Sequence, residues 1–309
     1  MVMSIRRGYG RAGWAAVTAA LLLAACGDGT ATPEWAATAT VSPTASAATT
    51  AAAAGCRKPA APKGWGPLAF ADDFSGGKLD TGKWSVYDSP TGKPPRAASR
   101  VAVGGGELRI TGGKDAGGRD VSGGLSSDVN LKYAHVDVCF RVDKGAGYSA
   151  IALLWPQSEK WPDDGEIDIA EVNRGARAYA NSFVHNHANN DRLGHSTLAD
   201  FTKWHVMSVD WTPDHVTFYL DGSKQWTVGL DPRTAGLVPT TSAMHLAIQL
   251  DQGPVKDWLP APDATTPAKV RLQVDWVRVY SWAGAPAKPS PNKSATKTPA
   301  PTATKPDRD

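Results

Sequence analysis

Apolar and polar positions alternate through most of the chain between Cys56 and Trp282, and no long stretch keeps a helical period. Val136, Val138, Phe140 and Val142 fall on one face of a run whose other face carries His135, Asp137, Cys139 and Arg141, the period-two signature of a half-buried strand. His215 to Leu220 runs into Asp221 and Gly222, a hairpin-turn pair, and continues as Gln225 to Val228. Val274 to Tyr280 reads as a last strand. Many short strands with Gly and Pro turns, and no intervening helices, predict an all-β domain: an antiparallel β-sandwich of the jelly-roll type.

Composition confines that domain to the middle of the chain. The sequence has 309 residues with 41% hydrophobic content, but residues 26–55 are almost entirely Ala, Thr, Ser, Gly and Pro and cannot bury a core. Residues 283–309 are similar, with Lys288, Lys293, Lys297 and Lys305 interspersed, and are expected to be a disordered tail, either solvated or touching anionic wall polymer. This leaves residues 56–282 as one jelly-roll domain, expected to act as a monomer. The formal charge of +3 is small and no basic cluster sits among aromatics, so nucleic acid is not an expected partner.

The first 25 residues read as an address. Arg6, Arg7 and Arg11 precede the apolar stretch from Trp14 to Ala25, which is too short to span a bilayer. Its ending, Leu23 to Cys26, resembles a lipobox, which implies cleavage before Cys26 and diacylglycerol on that sulfur. A plain secretory signal and a weak twin-arginine match are the other readings. The expected location is extracellular, as a lipoprotein anchored to the membrane's outer face. In that oxidising setting an odd total of three cysteines is explained if Cys26 is lipidated and Cys56 pairs with Cys139.

Carboxylates interrupt one core-like strand. Glu166, Asp168 and Glu171 alternate with Ile167 and Ile169, but strict alternation would turn Glu171 to the wrong face. A β-bulge near Ala170, with Ala170 and Glu171 opposing a single partner, restores it. The two glutamate carboxyls would then lie about 5 Å apart, the separation of a retaining glycosidase, in which one attacks the anomeric carbon and the other protonates the leaving oxygen.

The run from Glu166 to Glu171 resembles the signature of glycoside hydrolase family 16, the laminarinase and lichenase group, in its bulged form. Phe70 to Phe74, Leu154 to Pro156 with Trp161 and Pro162, Phe183 to His185, Val209 to Gly222 and Val274 to Tyr280 extend the resemblance over the domain. It implies the jelly roll shared by concanavalin A-like lectins and glucanases, with an open cleft on a concave sheet. It also implies Glu166 as nucleophile, Glu171 as acid/base, Asp168 as the assisting carboxylate, and a β-1,3- or mixed β-1,3/1,4-glucan as substrate. Ala170 stands where laminarinases often have Met. No cofactor is required; a structural calcium on the convex face, using Asp73 or Asp275, occurs in relatives.

Alternation places His245, Gln249 and Asp251 opposite the apolar Met244, Leu246, Ile248 and Leu250, and His185 together with His187 opposite Val184. His185 and Gln249 are therefore expected in the cleft. A metal pair at His185 and His187 lacks a third ligand at a suggestive spacing, so no metal is expected. Of the 12 tryptophans, Trp155, Trp161 and Trp258 are candidates for stacking on sugar rings, while Trp84, Trp211 and Trp276 read as core. A glycan-binding lectin and a wall transglycosylase remain alternatives on the same fold.

Overall fold

The computed structural model describes residues 55–284 and the backbone of Ser290 and Pro291. The leader, Cys26, most of the 26–55 linker and most of the 283–309 tail lie outside the described residues. In chain order the strands are β1 (Trp65–Asp72), β2 (Trp84–Val86), β3 (Val101–Gly104), β4 (Glu107–Lys114), β5 (Asp120–Val121), β6 (Gly124–Ser127), β7 (Val129–Asn130), β8 (Ala134–Val142) and β9 (Tyr148–Pro156). They continue as β10 (Glu166–Val172), β11 (Tyr179–Asn186), β12 (Asp191–Leu198), β13 (His205–Trp211), β14 (Val216–Leu220), β15 (Ser223–Val228), β16 (Met244–Gln252) and β17 (Lys269–Trp282). Among the described residues the helical segments are two single 3-10 turns.

Two antiparallel sheets face each other. One runs β15-β14-β13-β8-β17-β4-β3, with β1 also on β17 and β5 on β4; the other runs β12-β11-β10-β9-β16-β6-β2. The alternating residues predicted to point inward do so. Val136, Val138, Phe140 and Val142 of β8 meet Met244, Leu246, Ile248 and Leu250 of β16 in one core, with Trp84 and Trp211 inside it. Each such side chain stabilises the fold by about 2 kcal/mol relative to exposure. The β14–β15 hairpin turns on Asp221 and Gly222, both with positive φ, 48° and 77°, which matches the primed turn that strand twist favours.

Outward positions are not uniformly wet. On the nine-stranded sheet, Cys139, Val206 and Trp276 form a small apolar cluster covered by Cys56 and Trp204. The expected disulfide is present there, with Cys56 and Cys139 at an S–S distance of 2.06 Å. Trp276 Nε1 also donates to the Cys56 carbonyl at 3.1 Å. The chain entering the domain is thereby fastened to the middle of a sheet. Nearby, Asp73 accepts from Lys58 at 2.9 Å and Arg278 at 2.6 Å, and these two cations hold its carboxyl below the usual range against burial. A calcium ion at Asp73 would share its carboxylate with these two cations, and Asp275 lies beside the same Lys58.

Candidate active site

The seven-stranded sheet is pleated so that β10 buries Ile167, Ile169, Ala170 and Val172 in the core. The outer face then carries Glu166, Asp168 and Glu171. Two consecutive residues, Ile169 and Ala170, both point inward because they share one partner position on β11: Asp168 pairs with Phe183 and Glu171 with Asn181, leaving only Ser182 between. On the other side, Asp168 pairs with Leu153 and Ala170 with Ala152. The bulge expected at Ala170 and Glu171 thus lies one residue earlier. It begins at Ile169 because both residues of the pair are apolar and gain by burial. Ser182 Oγ donates to the Ile169 carbonyl at 2.9 Å, which satisfies a group the interrupted ladder strands.

The three acids line one cavity together with Trp155, Trp161, Phe183, His185, Asn190, Gln249, Asp251 and Trp258. Relative exposures of 5%, 2% and 9% for Glu166, Asp168 and Glu171 mean that each carboxylate is largely desolvated. Each glutamate is held by an indole: Trp161 Nε1 donates to Glu166 Oε2 at 2.8 Å, and Trp258 Nε1 to Glu171 Oε2 at 2.7 Å. Trp161 arrives on the loop before β10, which turns into the strand at Gly165 with φ 81°. A Cβ at Gly165 would meet Pro239 at 2.7 Å and the His185 carbonyl at 2.8 Å. Trp258 arrives on the loop after β16, where its carbonyl accepts from Asn173 at 3.3 Å.

Burial pushes the Glu166 carboxyl well above the ordinary glutamate range, reinforced by the charges of Asp168 and Glu171 and opposed by His185 and the Trp161 N–H. The Glu166 carboxyl therefore keeps its proton to higher pH than an isolated glutamate does. His185 braces it from β11, with Nε2 at 3.3 Å from Asp168 Oδ2 and Nδ1 at 2.7 Å from Asn190 Oδ1.

Glu166, Asp168 and His185 offer ligand atoms within 4.8 Å of one another. Both His185 ring nitrogens already face oxygen atoms, however, so a cation would have to break the Asp168 contact.

Two cleft expectations need correction. His187 does not accompany His185: β11 ends at Asn186, the backbone turns left-handed at His187 with φ 70°, and the side chain pairs with Asp191 in solvent. Trp155 lines the cavity but is only 2% exposed. Its ring stacks behind Trp161 at 6.3 Å and its N–H goes to Glu159, so it backs a platform rather than forming one. Gln249 is in place and donates to Asp251 at 3.2 Å. Asp251 is in turn paired with the buried Arg96 at 2.5 Å. Asn190 and Arg96 carry no pattern that sequence reading detects, because each acts from a loop.

The site and fold agree with what the chain resembles. The profile for glycosyl hydrolases family 16 matches residues 96–278. A beta-glucanase of Rhodothermus marinus is 28% identical over 167 residues, 48% of this chain and 58% of its own length. A keratan-sulfate endo-1,4-beta-galactosidase of Sphingobacterium multivorum is 28% identical over 236 residues, 69% of this chain and 54% of its own length. The chain thus spans little more than half the length of these curated relatives. The solved laminarinase of Rhodothermus marinus superposes with a TM-score of 0.62 at 25% identity, covering 71% of this chain and 98% of that one. With its profile matched from the loop before β3 to the end of the fold and its three acids on one strand, the chain belongs to glycosyl hydrolases family 16.

Proposed function

We propose that the chain is a retaining endo-glycoside hydrolase acting on a β-linked polysaccharide, with β-1,3- or mixed β-1,3/1,4-glucan as substrate. The observation that carries this reading is the bulge, which aligns Glu166, Asp168 and Glu171 on one buried face and leaves each glutamate gripped by an indole N–H.

In the first step a Glu166 oxygen forms a bond to the anomeric carbon while the glycosidic C–O bond breaks. Glu171 gives its proton to the departing oxygen, so no alkoxide is released. In the second step Glu171 takes a proton from water, whose oxygen displaces Glu166 and restores the original anomeric configuration. Asp168, bridged to His185, fixes the nucleophile's surroundings and withholds a proton from bulk water by its charge. Sugar rings lie against Trp161 and Trp258, with Gln249 and His185 in reach of hydroxyls.

Glu166→Ala and Glu171→Ala, assayed on laminarin, mixed-linkage glucan, agarose, carrageenan and β-galactan, test the assignment. Each is expected to lose activity severely while staying folded; near-normal turnover by either refutes it. Proton NMR of the first products reads the stereochemistry: β-anomers support double displacement and α-anomers exclude it. Lengthened rather than shortened oligosaccharides would mark a transglycosylase, and binding without cleavage by the parent a lectin. The galactosidase relative makes β-galactan the first alternative substrate. For localisation, the proposal is a cell-surface lipoprotein anchored at Cys26, tested by labelled palmitate and Cys26→Ser.

A further inference from the structure

The outer face of the nine-stranded sheet, on the far side of the core from the acids, holds a larger hollow than the cleft does. Its volume is about 670 Å³, against about 50 Å³ enclosed over the acids, and it falls within the size range of ligand sites. One wall is the incoming segment from Cys56 to Trp65, fastened by the disulfide; the other is the β14–β15 hairpin around Tyr219 and Gly222.

The floor is a built polar array rather than scattered surface charge. His135 sits between two carboxylates, with Nδ1 at 2.6 Å from Asp210 and Nε2 at 2.9 Å from Asp137. Ser208 donates to Asp137 at 2.6 Å and Tyr219 to Asp210 at 2.7 Å. These residues are cross-strand neighbours on β8, β13 and β14: His135 opposes Asp210, Asp137 opposes Ser208, and Ser208 opposes Tyr219. The chemistry at Glu166 does not need a polar ladder here.

Asp137 Oδ2 and Trp204 Nε1 are sealed from solvent and do not themselves meet a ligand; the partly exposed Tyr219, Asp210 and Asp221 give the groove hydroxyl and carboxylate groups that match a hydroxyl-rich ligand. Trp65 supplies a partly exposed indole along the groove, the kind of flat apolar surface on which sugar rings stack, while Trp204 lines it with one ring face taken by Arg141 at 4.7 Å. Arg57, Lys58 and Lys63 on the rim, with His135 held charged between its two carboxylates, stand against Asp137, Asp210 and Asp221 in the lining, an excess of only one positive charge. Neither a polyanion nor a polycation is favoured.

We propose that this groove is a second glycan-binding site, taking a neutral, hydroxyl-rich polysaccharide segment and holding the domain on its substrate. That the glycan is a β-glucan rests on the function proposed above; that it is a neutral glycan does not.

The test uses the full chain, with Ala60→Trp to fill the groove without removing a contact and Trp65→Ala to remove a platform. Thermal unfolding checks that both fold. Partition onto insoluble β-1,3-glucan is measured beside kcat/KM on a short soluble oligosaccharide. Retention is expected to fall about 10-fold in both variants, a loss of one stacking contact or more, with kcat/KM unchanged. If Ala60→Trp is retained like the parent on every polysaccharide of the panel, the groove is overturned, whether or not the cleft is active. Should the parent cleave no β-glucan, the substrate reading fails instead, and the groove is judged by retention on the remaining polysaccharides. Retention that is lost at high salt and requires an anionic polymer overturns the neutral-glycan assignment.

Discussion

Ser182 Oγ lies 2.9 Å from the Ile169 carbonyl, a side chain closing the gap that the extra residue of β10 opens in the ladder. Ser182→Ala leaves that buried carbonyl without its partner, at a cost of about 1–3 kcal/mol. Differential scanning calorimetry should show a lowered Tm. Kinetics should show kcat falling more than KM rises, because the bulge sets the aim of Glu171. Unchanged kcat with a lowered Tm would reduce Ser182 to a structural brace.

Trp258 and Trp161 are expected to matter through their N–H groups as well as their rings. Phe at either position keeps a ring but removes the bond to Glu171 or Glu166. Hydrogen bonds to charged groups are worth about 1.5–3 kcal/mol, so kcat/KM should drop about 10- to 100-fold. A loss confined to KM would mean that only stacking was removed.

The raised Glu166 carboxyl sets a direction for pH. Attack needs the charged form, so the acidic limb of kcat/KM should lie above the ordinary glutamate value of 4.5. Burial is the largest cause and the Asp168 charge the next; Asp168→Asn should therefore move the limb to lower pH while also lowering the plateau. The same shift is a stability term of opposite sign. A carboxyl whose folded pKa is raised stabilises the fold most below its unfolded value, and that contribution disappears as pH rises through the folded one. Glu166→Gln should thus be inactive yet more stable at pH 7. A destabilised Glu166→Gln would contradict it.

His135 titrates on the other sheet. Burial opposes its charge, but the bonds to Asp137 and Asp210 and their charges prevail and raise it to about 9. For a raised histidine the stabilisation is complete below the ordinary value of 6.5 and is lost as pH climbs through 9. Unfolding free energy should fall by up to about 3 kcal/mol across that window, and His135→Gln should flatten the slope. An equally steep slope in the variant would place the titration elsewhere.

Reduction of the Cys56–Cys139 bond, which closes a loop of 83 residues, should cost on the order of 4 kcal/mol by the chain-entropy account. Equal masses of the oxidised and of the reduced, alkylated protein would show that the bond is absent in solution.

Much of this molecule was legible in its sequence because period two is a strong signal when one face is dry. The inward Val136 to Val142 set, the Asp221–Gly222 turn and the three acids all follow from it. The bulge was placed one residue late because apolar character alone does not say which two of Ile169, Ala170 and Glu171 share a partner. His187 was misassigned because alternation carries no information past the end of a strand, here Asn186. Trp155 was misread because a face can point into a cleft and still be roofed by another ring. The polar floor at His135, Asp137 and Asp210 gave no sign, since charged residues on an outward face are the ordinary pattern.

Strand β10 is one residue longer than its partner's count: five steps lead from Glu166 to Glu171, while four lead from His185 to Asn181. Loss of Ala170 alone would leave plain alternation with all three carboxylates still facing outward and Glu171 still opposite Asn181. An added residue at the same point would turn Glu171 into the core if the bulge were kept, and if the bulge were lost would carry it outward but two positions along, from opposite Asn181 to opposite Tyr179. The site is therefore asymmetric toward insertions and deletions, tolerant of a strand shortened at the bulge and intolerant of one lengthened there.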